Sequence, residues 1–163
     1  MIIRNETADD KGAVRRVVLA AFGQVTEADL VAALQASGDA EFSLVAEAED
    51  GNIVGHILFS KLQAPNGCLG LAPVSVLPAR QNQAIGSKLI RAGLAQAEQL
   101  SWGAVFLLGA PDYYSRFGFE VALADKFETI YPKEYVMALE LRPDWLSDQS
   151  GDLTYAQSFL DLE

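Results

Sequence analysis

Short apolar runs alternate along the chain with longer stretches in which apolar residues recur at helical spacing. Apolar runs bounded by turn residues predict strands, and apolar positions three and four residues apart predict helices. The predicted strands cover residues 1–4, 42–48, 53–62, 68–77, 104–108 and 136–141. The predicted helices cover residues 7–22, 26–36 and 85–100, and a short helix begins at Pro111. This order predicts an α/β fold whose mixed, largely antiparallel central sheet is flanked by helices.

Two connections predict which strands are neighbours. Asp50 and Gly51 lie between two apolar runs, and an Asp-Gly pair in that setting is a strong hairpin signal. Helix 85–100 joins strand 68–77 to strand 104–108, and a crossover through a helix is typical of parallel neighbours. We therefore expect an antiparallel hairpin early in the sheet and a parallel pair later.

A proline interrupts the strand that precedes this crossover. Pro73 lies inside the apolar run 68–77, although proline cannot donate to a β-ladder and is normally excluded from central strands. The conflict disappears if the strand bulges or separates from its neighbour near Pro73, which would splay a central strand pair. The backbone of Val74 and Val76 would then be free to bond an extended ligand. The alternative is a simple edge strand.

Composition narrows the class of protein. A chain of 163 residues suits one domain, and we expect a core of about 2–141 on which a C-terminal extension docks through Tyr155 and Phe159. No apolar run approaches the ~20 residues of a membrane span, and the first residues lack the layout of a signal peptide. A single cysteine and a single histidine leave no cluster of soft metal ligands. We expect a soluble, cytoplasmic protein with no metal and no membrane partner.

Charge is distributed unevenly along the chain. The net charge of −10 opposes non-specific binding to nucleic acid, which depends on Lys and Arg. The 47 residues 51–97 nevertheless contain no Asp or Glu and four cations, Lys61, Arg80, Lys88 and Arg91. Burial explains the missing acids in strand 53–62, since core strands exclude charge. It explains the cations at 80–91 less well, and these favour a local anion site.

The turn before helix 85–100 has the chemistry of an anion site. Residues 77–90 read LPARQNQAIGSKLI, and a strand-turn-helix unit directs unpaired N–H groups and the helix dipole to the space above the turn. Small residues at Ala84 and Gly86 would let phosphate oxygens approach the backbone, and Ser87 can donate a hydroxyl. The alternative is a plain connection, because such turns often contain small or polar residues. The dinucleotide and ATP phosphate motifs are both absent from this turn.

Two motifs resemble the GNAT superfamily of acetyl-CoA-dependent N-acetyltransferases. Residues 81–86, QNQAIG, are similar to its Q/R-x-x-G-x-G/A pyrophosphate motif, and residues 114–119, YSRFGF, are similar to its later Y-x-x-x-G-F element. The predicted element order also matches over about 2–141, so the resemblance implies a single N-acetyltransferase-like domain. Within the superfamily, LGAPDYYSRFGFE followed by MALEL resembles a group of small, poorly assigned bacterial acetyltransferases.

The resemblance implies a role for each matching residue. Backbone groups of Val74 and Val76 would bond the pantetheine arm and the acetyl carbonyl. Tyr114, four residues before Gly118, would protonate the departing thiolate. The pyrophosphate of acetyl-CoA would be held by backbone N–H groups of the turn, from Gln81, Asn82, Gln83, Ala84, Ile85, Gly86 and Ser87.

Two positions depart from the motif. Ala84 stands where the first glycine is usual, and Asn82 occupies a position that is often glycine. Alanine costs little if its φ is negative but strains the turn if φ is positive. We expect these departures to weaken cofactor binding.

The general base is not evident from the sequence. Glu41, Glu47 and a water relay are the candidates. We interpret His56 as a packed strand histidine and Cys68 as a core residue rather than a nucleophile.

The sequence therefore predicts direct transfer of an acetyl group from acetyl-CoA to a primary amine of an unidentified acceptor, a small molecule or a peptide N-terminus. The alternative is an acyl-CoA-binding module or sensor of the same fold without transfer activity. The resemblance also allows a homodimer, for which the sequence indicates no interface.

Overall fold

The computed structural model describes residues 1–162. The strands are β1 (Ile2–Asn5), β2 (Ala40–Glu47), β3 (Ile53–Lys61), β4 (Cys68–Val76), β5 (Ala104–Leu108), β6 (Phe127–Glu128), β7 (Val136–Glu140) and β8 (Gly151–Asp152). Six of them form a central sheet in the order β1-β2-β3-β4-β5-β7, and a second, two-stranded sheet pairs β6 with β8. The helices are α1 (Lys11–Phe22), α2 (Thr26–Ser37), α3 (Ile85–Gln99), α4 (Pro111–Tyr114), α5 (Val121–Ala124) and α6 (Gln157–Leu160).

The predicted α/β class and the mostly antiparallel sheet are confirmed. β1 to β4 pair antiparallel in succession, β4 and β5 are parallel, and β5 pairs antiparallel with β7. The β2–β3 hairpin turns at Gly51, whose φ of 86° is a conformation that glycine adopts without strain. The two-residue strands β6 and β8 were not predicted, because segments this short show no periodicity.

Helices cover both faces of the sheet. On one face the buried Val14, Val17 and Val18 of α1 pack in a cluster that also contains α2 residues and Leu58 of β3. On the other face, Ile85 and other residues of α3 pack with the alternate residues of the strands. Successive residues of β3 therefore alternate between two cores, and an apolar stripe of a helix completes each core.

The splayed strand pair is also confirmed. β4 and β5 pair at three positions, the last joining Gly70 to Phe106, and both strands then continue without pairing to each other. On its other side β4 contains an extra residue between Leu71 and Val74 relative to β3, which places Pro73 in a bulge. The bulge removes the conflict between proline and the ladder. A wedge therefore opens between β4 and β5 beyond Gly70.

The C-terminal segment packs against the α1 face. Tyr155 is 5% exposed and Phe159 is 8% exposed, and both belong to the same apolar cluster as α1 and α2. The Tyr155 ring lies directly on Gly70, where an added Cβ would be 2.7 Å from Tyr155 Cε1. Glycine is required there because the ring contacts the strand backbone.

None of the helices in the described chain has the length and apolar character needed to cross a bilayer.

Candidate functional site

A cleft of about 550 Å³ lies where α3 begins, beside the end of β4. Three parts of the chain that are distant in sequence form its walls: the end of α1, the end of β4 with the following turn, and α4 with the residues after it. The lining residues are Ala21, Phe22, Val74, Val76, Arg80, Gln81, Asn82, Ala84, Ile85, Gly86, Ser87, Ile90, Tyr113 and Arg116. The cleft therefore brings eight of the ten predicted site residues together.

Val74 and Val76 present backbone groups to the open wedge. The Leu77 N–H donates to the Val54 carbonyl of β3 at 2.9 Å. Backbone groups alternate in direction along an antiparallel strand. The N–H and C=O groups of Val74 and Val76 therefore point away from β3, toward the side where β5 no longer pairs with β4. The Val76 carbonyl accepts a hydrogen bond from the Gln81 side-chain amide at 3.3 Å.

The turn before α3 adopts a left-handed conformation at both positions that depart from the motif. Asn82 has a φ of 65° and Ala84 a φ of 63°. Asparagine tolerates this region better than alanine, whose Cβ makes it cost roughly 1–2 kcal/mol. The Lys88 N–H donates to the Ala84 carbonyl at 3.0 Å, so Ala84 caps α3 and the first N–H groups of the helix have no intrahelical acceptor. They are directed at the cleft.

We expect Ala84→Gly to stabilise the protein and to tighten binding of acetyl-CoA, the ligand that the sequence resemblance implies. Glycine removes the strain but has a more flexible unfolded state, so the net gain should be about 0.5–1 kcal/mol. Loss of the Cβ from the cleft wall should tighten acetyl-CoA by roughly two- to tenfold, which is at most about 1.4 kcal/mol. Thermal unfolding and calorimetric titration measure the two effects.

Ser101→Gly is the matched control for this substitution. Ser101 has a φ of 69° and follows the far end of α3, outside the cleft lining. Ser101→Gly should raise the melting temperature without changing the Kd for acetyl-CoA. Equal affinity in wild type and Ala84→Gly would contradict a turn that approaches the cofactor.

Two arginines supply positive charge to the cleft. Arg80 lies in the turn, where its Nε donates to the Gln83 side chain at 3.2 Å. Arg116 stacks on the Tyr113 ring, 4.6 Å from its centroid, and donates from Nε to the Tyr113 carbonyl at 2.9 Å. Sequence reasoning did not single out Arg116. Its spacing of three residues from Tyr113 on a helical turn was the signal that could have identified it.

The two adjacent tyrosines point to different places. Tyr113 lines the cleft, and its hydroxyl is 3.3 Å from Ser87 Oγ at the start of α3. Tyr114 lies against Gly109, the residue after β5, where an added Cβ would be 2.4 Å from Tyr114 Cε2. Tyr114 is therefore at the β5 side of the wedge. Burial, together with the neighbouring Tyr113, raises the pKa of the Tyr114 phenol, which keeps it protonated near neutral pH.

The remaining predicted residues have other surroundings. Gln83 and Tyr114, both among the described residues, lie outside the cleft lining. Of the two candidate bases, Glu41 is 3.8 Å from Lys61 and Glu47 is 3.2 Å from Arg4, and neither lines the cleft. Cys68 is buried, and burial raises the pKa of its thiol to about 12, as expected of a core residue rather than a nucleophile.

His56 is a packed strand histidine, but it is not isolated. It is fully buried on β3, and its Nε2 lies 2.9 Å from Oε1 of Glu6, a residue that sequence reasoning missed. Glu6 follows β1, fifty residues earlier in the chain. No short-range pattern in the sequence could have revealed this pair.

Comparison with known proteins identifies the same family over most of the chain. The model of the acetyltransferase (GNAT) family matches residues 10–119. The Escherichia coli protein YjhQ, an uncharacterized N-acetyltransferase, is 37% identical over 145 residues, which are 84% of this chain and 77% of YjhQ.

Two solved structures are similar along nearly the whole chain. The GNAT family N-acetyltransferase YhbS from Escherichia coli, in complex with CoA, has a TM-score of 0.91 at 28% identity and covers 98% of this chain and 91% of its own. A GNAT family acetyltransferase from Brucella melitensis, in complex with acetyl-CoA, has a TM-score of 0.82 at 40% identity and covers 97% of each chain.

Proposed function

This chain belongs to the GNAT family of acetyltransferases, and from that premise we propose that it transfers the acetyl group of acetyl-CoA directly to a primary amine. One observation carries the proposal. The left-handed turn before α3 and the backbone edge at Val74 and Val76, which pairs with no neighbouring strand, face the same cleft. A ligand whose diphosphate continues into an extended, amide-containing arm would complement both features.

The cleft offers groups that would suit three parts of the cofactor, namely the pyrophosphate, the pantetheine arm and the thioester. The pyrophosphate would lie on the turn from Gln81 to Ser87, where free N–H groups and the helix dipole favour an anion. Arg80 and Arg116 add charge at its rim. The pantetheine amides would pair with Val74 and Val76 as an added strand would. The thioester then enters the wedge between β4 and β5. The CoA and acetyl-CoA complexes of the two similar structures support this choice of ligand.

The chemistry of transfer needs few groups. The amine attacks the thioester carbonyl, and backbone N–H groups at the wedge can stabilise the tetrahedral oxyanion. The C–S bond then breaks, the thiolate takes the phenolic proton of Tyr114, and the phenolate takes the extra proton from the nitrogen of the new amide. A buried phenol is suited to this step because it remains protonated until a stronger base forms beside it.

A sensor or binding module of the same fold is the second candidate. The strained Ala84 and a described cleft lining that contains no carboxylate favour it, because both depart from an optimised active site. Both candidates require acetyl-CoA binding but differ in turnover. Release of free thiol, followed across a panel of primary amines that includes a peptide N-terminus, distinguishes them. Tight binding without release of thiol with any amine would favour the sensor.

We expect acetyl-CoA to bind more tightly than NAD or ATP. The cleft lacks the glycine pattern of a dinucleotide site and of an ATP phosphate loop, whereas β4 offers an extended ligand an unpaired edge. Calorimetric titration of the three ligands under identical conditions measures the difference, with desulfo-CoA, which keeps the diphosphate and the pantetheine arm but lacks the acetyl thioester, as the control. Comparable or tighter binding of NAD or ATP would overturn the assignment.

A further inference from the structure

The wedge between β4 and β5 opens on both faces of the sheet, and the cofactor cleft lies at one of them. Val74 and Val76 pack against the same apolar cluster as Ile85 of α3, so the cleft reaches the wedge from the α3 face. A thioester that enters from this side leaves the mouth on the α1 face free. The acceptor amine must still reach the thioester carbonyl, and the α1 mouth is the approach that the cofactor does not fill.

Leu108 forms the β5 side of the α1 mouth. It is the last residue of β5, beyond the point where pairing with β4 ends. Phe106 packs in the cluster that contains α1 and Leu107 in the cluster that contains α3, so Leu108 projects on the α1 face by alternation. Leu108 is 46% exposed, although Val136, its partner on β7, is 3% exposed. Because β7 covers one flank of Leu108, its exposed surface borders the wedge.

The connection between α1 and α2 forms the β4 side of the same mouth. Phe22, the last residue of α1, lines the cleft together with Val74 and Val76, and it is 41% exposed. Val25 follows three residues later, directly before α2, and is also exposed. The mouth therefore has exposed apolar side chains on both of its sides.

Gly109 joins the β5 side of the mouth to the proposed general acid. Its N–H donates to the Tyr135 carbonyl at 2.9 Å, and Tyr135 is 48% exposed. The Tyr114 ring lies against the same glycine. Leu108, next to Gly109 in the chain, and Tyr135, bonded to it across the strand pair, are thus close neighbours of the residue that Tyr114 contacts. An amine that reacts beside Tyr114 would have these side chains around its body.

These exposed side chains form one surface, which we call the apolar rim: Phe22, Val25, Leu108 and Tyr135. They are four of the nine large apolar side chains that are exposed within residues 1–162. Single exposed apolar residues are normal on a protein surface. Several that border one opening are typical of a binding site.

The charges near the rim do not suit an acceptor with several ammonium groups. No carboxylate belongs to the cleft lining among the described residues. Within two residues of the rim in the sequence, the acids are Glu27 and Glu134, which are both exposed to solvent. Gln24 Nε2 already donates to Glu27 at 3.0 Å. A second ammonium placed against the rim would lose hydration without gaining a buried partner.

We propose that the apolar rim selects an acceptor whose primary amine is attached to an apolar body; the proposal rests on the acetyl transfer proposed above. The amine reaches the thioester through the α1 mouth, while the body of the acceptor stays on the rim. Each methylene that contacts the rim is removed from water, which favours the bound acceptor. An alkylamine and a peptide with an apolar N-terminal residue share this chemistry, whereas a polyamine does not.

Rates of thiol release with matched amines test this acceptor class. Butylamine and 1,4-diaminobutane differ by one ammonium group, and we expect kcat/KM to be at least tenfold higher for butylamine. Leucinamide and glycinamide form the corresponding pair for a peptide N-terminus. From ethylamine to hexylamine, kcat/KM should rise by up to about fourfold for each methylene that reaches the rim. The pair that reacts faster identifies the source of the acceptor, and the proposal is overturned if its apolar member has no higher kcat/KM.

Leu108→Asp should change the preference in favour of the diamine. The new carboxylate can pair with the second ammonium, so kcat/KM for 1,4-diaminobutane should rise, a gain that misfolding cannot produce. Leu108→Ala should lower kcat/KM for hexylamine several-fold and leave that for ethylamine unchanged. Leu100→Asp is the matched control, because Leu100 is 50% exposed at the far end of α3, outside the cleft lining. A wild-type preference in both Leu108 variants would overturn the proposal.

Binding to the protein saturated with CoA separates this proposal from the proposed transfer. Saturation-transfer NMR should show the hexylamine methyl in contact with wild type and with Leu100→Asp, and a much weaker signal with Leu108→Asp. Absence of acetylation with every amine overturns the transfer, and the NMR result then decides the rim by itself. No hexylamine signal with wild type, or an equal signal with Leu108→Asp, overturns the rim.

Discussion

We expect Tyr114→Phe to lower kcat for acetyl transfer by about 100-fold or more, with little change in the Kd for acetyl-CoA. The phenol lies at the β5 side of the wedge, against Gly109. Without its proton the thiolate must leave unprotonated, and loss of a positioned general acid typically costs about 10²–10⁴ in rate. The phenyl ring of the variant fills the same space against Gly109 and Phe119. Steady-state release of thiol, with binding measured separately, gives the two constants.

Tyr113→Phe is the comparison for this experiment. The Tyr113 hydroxyl faces Ser87 in the cofactor cleft rather than the wedge, so its loss should raise KM for acetyl-CoA a few-fold and leave kcat nearly unchanged. Because the pKa of Tyr114 is raised by burial, wild-type kcat should show no alkaline decrease below about pH 10, the usual tyrosine value. The assignment of Tyr114 fails if the two variants lose kcat equally, or if kcat of wild type already falls near pH 8.

Gly86→Asp should abolish most of the affinity for acetyl-CoA without unfolding the protein. A Cβ at Gly86 would point into the cleft, 3.7 Å from the Tyr113 hydroxyl and 3.8 Å from Val76 Cγ2, which are ordinary contacts. The new carboxylate would occupy the proposed anion site and repel the pyrophosphate. Two charges about 4 Å apart repel by roughly 1–4 kcal/mol near a protein surface. We therefore expect an affinity about 100-fold weaker.

Gly86→Asp should keep or raise the thermal stability of the protein although it weakens the binding of acetyl-CoA. A carboxylate in the first turn of a helix is stabilising by about 0.3–1 kcal/mol, so Gly86→Asp should melt at the wild-type temperature or above it. Gly12→Asp adds the same charge to the first turn of α1, at an exposed position outside the cleft lining. It should bind acetyl-CoA as wild type does. Wild-type affinity in Gly86→Asp, measured by titration, would place the pyrophosphate elsewhere.

The longer elements of this fold are encoded locally, and local patterns therefore predicted them. The strand Ala104–Leu108 was predicted with its observed bounds, and α3 was predicted within one residue of its observed end at Gln99. Pro73 predicted a bulge and a splayed strand because one missing N–H suffices to break a ladder. The turn at residues 81–87 predicted an anion site from small residues at a helix start.

Other properties of the site depend on contacts between distant residues. Whether Ala84 is strained depends on its φ, which the sequence left conditional and the structure shows to be positive. The sequence also could not show that Tyr113, rather than Tyr114, lines the cleft, because adjacent residues of a short helix point in directions that packing decides. Phe22 enters the cleft only because α1 lies across β4.

The sequence by itself thus determined the longer strands and helices, their order, the turn before α3 and the tyrosine motif, since each depends on residues that are near neighbours in the chain. Tertiary structure alone decided the contact between Glu6 and His56, the opposition of His56 to Ser75, and the meeting of α1, β4 and α4 around one cleft. The physical reason is that burial and pairing between strands join residues that are fifty or more positions apart. The periodicity of a single element carries no information about such partners.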